Sequence, residues 1–249
     1  MIQGLVSVIV PVKNRPALLR EAAAGVFAQT WSEWELLIVD DRSTDETPAV
    51  ARELAAADPR RVKVLEGLGK GPGPARESGR LAARGEFLQY LDSDDLLLPE
   101  KFAAQVHGLR NDPGAGASYG WTRLRRADGS ADARPFKRSA EKIDTMFPAF
   151  LAGRPWNTST PLYRAAVCAA AGPWSELWLE EDWEYDCRVA ALGTRLHFLP
   201  EWVCEYRDHD DLRLGVGETL DPWRLGQRSE AHVRILAHAQ RAGVGVETP

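Results

Sequence analysis

Three carboxylates fall within four residues where Asp92, Ser93, Asp94 and Asp95 follow the apolar run of Phe87, Leu88, Tyr90 and Leu91. Like charges this close repel and raise one another's pKa, so the cluster needs a cation, a helix N-terminus or open solvent to stay ionised. Two arrangements meet that need. A divalent metal, Mn2+ or Mg2+, can be held by one or two of these carboxylates together with the phosphates of a substrate. Alternatively, water and the dipole of a helix starting near Pro99 suffice. A second acidic group, Glu180, Glu181 and Asp182, opens another helical stretch, where the dipole favours negative charge and Glu184 with Arg188 makes an exposed i,i+4 pair. His209 stands among Asp208, Asp210 and Asp211, which suits either a metal site or a solvated loop.

The elements that must position these acids read as an α/β pattern. Residues 5–10, LVSVIV, are apolar on both parities, as a central parallel strand requires. A helix follows, with Asn14 as its expected N-cap, Pro16 in the first turn, and Leu18, Leu19, Ala22 and Val26 at helical spacing. The second strand, residues 35–39, ends in Asp40-Asp41, and Ser43 or Thr44 is placed to cap the next helix. A third strand at 62–65 leads to the loop EGLGKGPGP at 66–74. That loop is either a simple turn or a backbone approach to a ligand, and it matches neither a P-loop nor a dinucleotide fingerprint. Strand and helix alternating in this way predict an open, mostly parallel sheet with right-handed crossovers.

Beyond a helix at about 99–110 the turn-forming residues Asn111 to Gly116 make the best boundary between halves. After it the expected elements are a hairpin of 117–125 with 133–137, a short helix at 146–151 and a strand at 158–163. A helix through 178–193 carries Leu179, Trp183, Cys187 and Ala190 on one stripe and ends at Gly193. Two short strands at 195–199 and 202–206 precede a last helix at 222–241.

The 249 residues, 44% hydrophobic, are enough for one large domain or two small ones, and the formal charge of −5 argues against a nucleic-acid surface. Cys168, Cys187 and Cys204 are odd in number and widely spaced, which points to buried thiols and a reducing, cytoplasmic compartment. The first apolar run has no basic segment ahead of it and is too short to cross a bilayer, so no membrane span is expected and peripheral association stays open. The sequon at Asn157 reads as chance.

Taken in order, SVIVPVKN, WELLIVDDRSTDET, GPGPARESGRLAARGEFLQYLDSDDLLLP, AAGPW, LEEDWEYDCRVAALG and YRDHD resemble the family-two inverting glycosyltransferases of the GT-A fold. The resemblance covers most of the chain. It implies a single GT-A type domain over 1–249, with a mostly parallel, Rossmann-like sheet flanked by helices. Residues 1–112 would form the sugar-nucleotide-binding half and 113–249 a mixed acceptor-side half. It further implies that Pro11, Asp40, Asp41 and Arg76 line the nucleotide and that Asp92 and Asp94 form a D-x-D motif. Asp94 is then the favoured metal ligand, His209 reaches the metal or diphosphate, and Asp182 is the acceptor base. The implied reaction is metal-dependent, inverting and non-processive hexosyl transfer from a nucleotide sugar to a saccharide, lipid-linked or small-molecule acceptor. With Trp183 turned inward, Asp182 lies about 100° around the helix, on a flank that can border a cleft, while Glu180 and Glu181 are freer to face solvent.

Glu77, where relatives often carry asparagine, and Lys13 depart from the family pattern. The Q-x-x-R-W motif of processive synthases is absent. A sugar-phosphate nucleotidylyltransferase would need a G-x-G-x-R start, which the chain lacks, and a non-catalytic saccharide-binding module would not need acids at both Asp94 and Asp182.

Overall fold

The structure is a computed structural model that describes residues 1–208 and 221–245. Side-chain alternation decides how its sheet is covered. In β1 (Ile2–Val12), Val6, Val8, Val10 and Val12 join one core while Ile9 joins the other. In β2 (Trp34–Asp40), Leu36 and Ile38 share the first core and Leu37 and Val39 the second. Strands apolar on both parities need cover on both faces. The first face receives α1 (Pro16–Phe27), α2 (Thr47–Ala57) and α4 (Lys101–Asn111). The second receives α3 (Pro72–Ala82), α5 (Ala165–Ala171), α6 (Glu181–Ala191) and α7 (Pro222–Arg241).

The remaining strands are β3 (Val62–Glu66), β4 (Gly85–Tyr90), β5 (Leu96–Leu97), β6 (Ala115–Arg125), β7 (Leu162–Arg164) and β8 (Arg195–Arg207). All eight form one sheet in the order β3-β2-β1-β4-β7-β6-β8-β5. β1 pairs in parallel with β2 and β4, and β2 with β3, so Asp40 and the segment after Tyr90 emerge at the same edge. β7 runs antiparallel to both β4 and β6, with Leu88 opposite Tyr163. Its antiparallel course brings residues 157–160, just before it, to the ends of the parallel strands. β8 is parallel to β6 and therefore delivers Arg207 to that edge as well. One α/β sheet thus runs through both expected halves.

Local differences from the sequence reading have physical causes. Asn14 adopts a φ of 54° and its side chain accepts a bond from Thr44 N at 2.8 Å, so it ties two loops together instead of capping α1. Ser43 accepts from Asn14 N, and Asp45, two residues before Thr47 N, takes the local bond at 2.9 Å. The expected hairpin shrinks to a single bridge between Arg125 and Ala131, because β6 already has β7 and β8 as partners. Around Pro148 the expected helix becomes a 3-10 turn, Ala149–Ala152. The two last strands are one irregular strand, β8, whose register against β6 shifts near Pro200. The helix expected at 222–241 spans those residues, with Asp221 accepting from Trp223 N and Arg224 N.

α3 lies tight on the sheet because Gly79 has no side chain. A Cβ there would sit 2.3 Å from Cγ2 of the fully buried Ile9. Gly79→Ala should therefore destabilise the fold by about 1–3 kcal/mol despite the helix-propensity gain of about 1 kcal/mol. Gly226→Ala, with nothing within 4 Å, should be neutral or stabilising. Urea denaturation of both variants checks this pair, and equal stability of the two would contradict the close-packing argument.

Candidate active site

The site grows from one buried cation. Gly71, with φ of 97°, turns the chain into α3 beneath the ring of Trp178, where a Cβ would stand 3.2 Å from ring carbons. One turn later Arg76 is 4% exposed. Its Nη2 reaches Asp92 Oδ1 at 2.6 Å and its Nη1 reaches Glu181 Oε1 at 2.7 Å, 105 residues away in the chain. Trp174 lies under the guanidinium at 4.8 Å and stacks on Tyr185 at 4.0 Å. Burial opposes the charge on Arg76, but Asp92, Glu181 and Asp182 outweigh it and hold its pKa above the ordinary value.

Glu181 is 7% exposed and belongs to this buried pair, contrary to the expectation that it faces solvent. Burial, and then repulsion from Asp182, push its carboxyl up to about 7 against the opposing pull of Arg76. Glu180, with φ of 58°, turns instead to His232 and Arg228 of α7. Glu184, expected on the surface, is buried and pairs with Arg188 and His238. Trp183 is only half-buried, and Tyr185 and Asp186 take the inward positions.

Asp182 keeps 29% of its side chain exposed. Its Oδ2 receives Arg154 Nη1 and, at 3.0 Å, Thr158 Oγ1, while Oδ1 receives Trp183 N at 2.7 Å. Burial raises its pKa, yet Arg154, Arg76 and Lys137 together hold it below the usual carboxylate value. It is therefore ionised at neutral pH and open to one side.

At the end of β4, Asp94 Oδ2 pairs with Arg15 Nη1 at 2.7 Å, and Arg207 Nε donates to the Asp94 carbonyl at 2.5 Å. Asp95 is 1% exposed; its Oδ2 accepts from Asn157 Nδ2 at 2.9 Å and Ser159 Oγ at 2.7 Å. Its Oδ1 has no hydrogen-bond partner among the described residues. Burial, then Asp94 and Asp92, push Asp95 up to about 8.

Asp41 accepts from Gly69 N at 2.7 Å and Gly71 N at 3.0 Å, so its carboxylate shapes the glycine loop. Asp40 accepts from Ser43 N at 3.1 Å, and Pro11 is buried in β1 opposite Val39. Glu77 pairs with Arg80 and accepts from Trp174 N at 3.2 Å, which gives this departure from the family pattern a structural partner set. His209 lies outside the described residues. Arg154, Thr158 and Arg15 were not singled out in the sequence. The signal was the polar run of residues 157–160 between Trp156 and Pro161, which the sequence reading assigns to a sequon and to a strand at 158–163; the strand itself spans only Leu162–Arg164.

A hard divalent cation fits the donor set at the strand end. The side chains of Asp92 and Asp94 are 29% and 15% exposed, and the repulsion from both that adds to burial in raising Asp95 is of the kind a cation relieves. Among the described residues no group of three or more His, Cys, Asp or Glu makes a cage, so the fit is to the mode that takes the remaining ligands from phosphate and water.

Residues 7–159 match the family model described as Glycosyl transferase family 2. The chain belongs to that family. Among curated relatives this glycosyltransferase chain is 39% identical over 95 residues to the putative glycosyltransferase EpsH of Bacillus subtilis, covering 38% of the chain and 27% of the relative. It is 35% identical over 103 residues to the Escherichia coli UDP-Glc:alpha-D-GlcNAc-diphosphoundecaprenol beta-1,3-glucosyltransferase WfgD, covering 41% and 40%. A further relative, the uncharacterized protein y4gI of Sinorhizobium fredii, is 41% identical over 117 residues, 46% of the chain and 13% of that protein. These matches cover between 13% and 40% of the relatives' own length. In fold it is similar to Staphylococcus aureus TarS 1-349 in complex with UDP-GlcNAc, with a TM-score of 0.74 and 20% identity over 95% of the chain and 69% of that one. It is also similar to the mannosyltransferase PcManGT of Pyrobaculum calidifontis in complex with GDP-Man and Mn2+, with a TM-score of 0.66 and 22% identity over 98% and 65%. The fold is therefore of the GT-A glycosyltransferase type.

The Glu181 carboxyl makes a pH prediction. Its folded pKa of about 7 exceeds the ordinary 4.5, so the native state holds the extra proton and this group's contribution to stability falls as pH rises between those values. Glu181→Gln lacks that titration. Urea unfolding at pH 5 and pH 8 should show the variant gaining on the parent as pH rises; a constant difference would contradict the assignment.

Proposed function

We propose that the chain transfers a hexosyl group from a nucleotide-sugar donor to a hydroxyl acceptor, one sugar at a time, with inversion, in glycan or glycoconjugate biosynthesis. The observation that carries this reading is the Arg76 bridge. A single guanidinium holds the first acid of the D-x-D pair beside the residue preceding Asp182, so donor acids and proton acceptor share one edge of the sheet. Residues 1–112 supply the donor side, with Pro11, Asp40, Asp41, Arg76 and Asp92 along the nucleotide. Residues 113–249 supply the acceptor side.

Asp94, with Asp92 beside it, would hold Mn2+ or Mg2+ through its carboxylate, and His209 is a further candidate. When bound, the cation neutralises charge on the departing nucleoside diphosphate. Asp182 takes the proton of the acceptor hydroxyl as its oxygen attacks the anomeric carbon; an ionised carboxylate with one side open suits that task. One displacement inverts the configuration and needs no covalent sugar intermediate. Relatives that act on or bind UDP-Glc, UDP-GlcNAc and GDP-Man support a nucleotide-sugar donor, and WfgD supports a lipid-linked acceptor among the saccharide and small-molecule alternatives. The three free, buried cysteines support a reducing, cytoplasmic setting. No described helix is long and apolar enough to cross a membrane, and peripheral association is compatible with this reading.

A panel of nucleotide sugars, titrated with and without Mn2+, identifies the donor. Asp94→Ala should then lose the metal-dependent part of donor affinity. Asp182→Asn should leave donor affinity intact and reduce transfer about 10²-fold or more. Near-normal transfer by Asp182→Asn, or metal-dependent binding that survives Asp94→Ala, would sink the respective assignment.

A further inference from the structure

We propose that Arg154 is the positioning residue of the proton acceptor, fixing the Asp182 carboxylate by bridging it to Asp186. The proposal rests on the reading of Asp182 as the base. Arg154 is 7% exposed and enters the site from the loop between the 3-10 turn and β7. Its Nε binds Asp186 Oδ2 at 2.6 Å, while Nη1 binds Asp182 Oδ2 and Thr158 Oγ1, the latter at 3.1 Å.

Asp186 is a fixed anchor. It is 1% exposed, and it also receives Trp156 Nε1 at 3.0 Å and Tyr163 OH at 2.5 Å. Asp182 and Asp186 lie on one face of α6, a turn apart. The rigid fork of Arg154 therefore transfers the position of a buried acid to a partly exposed one. Hydrogen-bond capacity then selects the reacting atom. The two lone pairs of Asp182 Oδ2 are taken by Arg154 and Thr158, whereas Oδ1 accepts Trp183 N and keeps one acceptor site. Oδ1 is thus the oxygen left for the acceptor's proton.

The charged groups facing Asp182 are Arg154 from the loop before β7, Arg76 from α3 and Lys137 from the segment after β6, with Glu181 and Asp186 on its own helix. Lys137 also faces Asp95 and is repelled by Arg154. Arg76 and Lys137 remain when Arg154 is replaced, so its removal should raise the Asp182 pKa without neutralising the site.

The test compares Arg154→Lys, which keeps a charge but cannot fork between two acids, with Arg154→Met and Thr158→Val in the full chain. Release of UDP from UDP-glucose, or of GDP from GDP-mannose, is followed with water as acceptor alongside donor affinity. Arg154→Lys should lose on the order of 10- to 100-fold in kcat with donor affinity within about twofold. The acidic limb of the kcat profile should move to higher pH in Arg154→Met, because the lost cation had favoured the ionised base. Carboxylate 13C NMR, assigned through Asp182→Asn, reads the same rise in Asp182 pKa with no substrate present. Should Arg154→Met fail to fold, Arg154→Lys and Thr158→Val carry the comparison. Full kcat in Arg154→Lys together with an unmoved Asp182 titration in the folded variants overturns the proposal. Retained turnover in Asp182→Asn would overturn instead the reading of Asp182 as base.

Discussion

A guanidinium buried to 4% exposure cannot stand without compensating acids, and in this chain those acids are Asp92 and Glu181. The need for balance draws the end of β4, the start of α3 and the first turn of α6 to one place. The glycine loop held by Asp41 sets where α3 begins, and the closeness of Gly79 to Ile9 sets how near the sheet it lies. Trp174, stacked on Tyr185, forms the apolar floor beneath Arg76. Replacing either acid would leave the buried guanidinium with one direct partner in place of two.

Much of the structure of residues 1–112 was legible in the sequence because its strands are short, apolar and regular, and their ends are marked by acids. Periodicity located β1, β2, β3 and β4, and the resemblance tied the acids at their ends to a nucleotide-sugar site. The last helix was placed at its observed residues, 222–241, and Gly193 marked the end of α6, whose start lies at Glu181 and not at residue 178 because Glu180 takes a left-handed conformation. Where side chains had two chain-wide options, local signals misled. Asn14 had the chemistry of an N-cap but bonds across to Thr44, a choice only the tertiary fold can make.

The described residues beyond 112 were harder to read for a related reason. β6 is followed by Asp128 and Gly129, a turn signal that suggests a hairpin, yet its partners come from residues 162–164 and 195–207. Long-range pairing leaves no local trace. The polar run of residues 157–160 is likewise ordinary as sequence and becomes informative only when buried. Asn157 and Ser159 then bind Oδ2 of Asp95, Thr158 meets Asp182, and the Thr160 carbonyl accepts from the buried Lys101 at 2.7 Å. Within α6 the inward stripe runs through Tyr185 and Asp186 and leaves Trp183 half-buried, so the angle between Trp183 and Asp182 does not fix which side of the helix faces the cleft. The ionisation and partial exposure of Asp182 are what support its proposed role as base.

The central claim is that the edge joining Asp92, Asp94 and Asp182 is where a nucleotide sugar lies. A crystal structure of the chain with a nucleoside diphosphate and Mn2+ tests it most directly. The account predicts the diphosphate and metal against Asp92 and Asp94, the base near Pro11 and Asp41, and open space between the β-phosphate and Asp182 for a sugar. A nucleotide bound at the opposite edge of the sheet, or one whose diphosphate points away from Asp94 and Asp182, would contradict it.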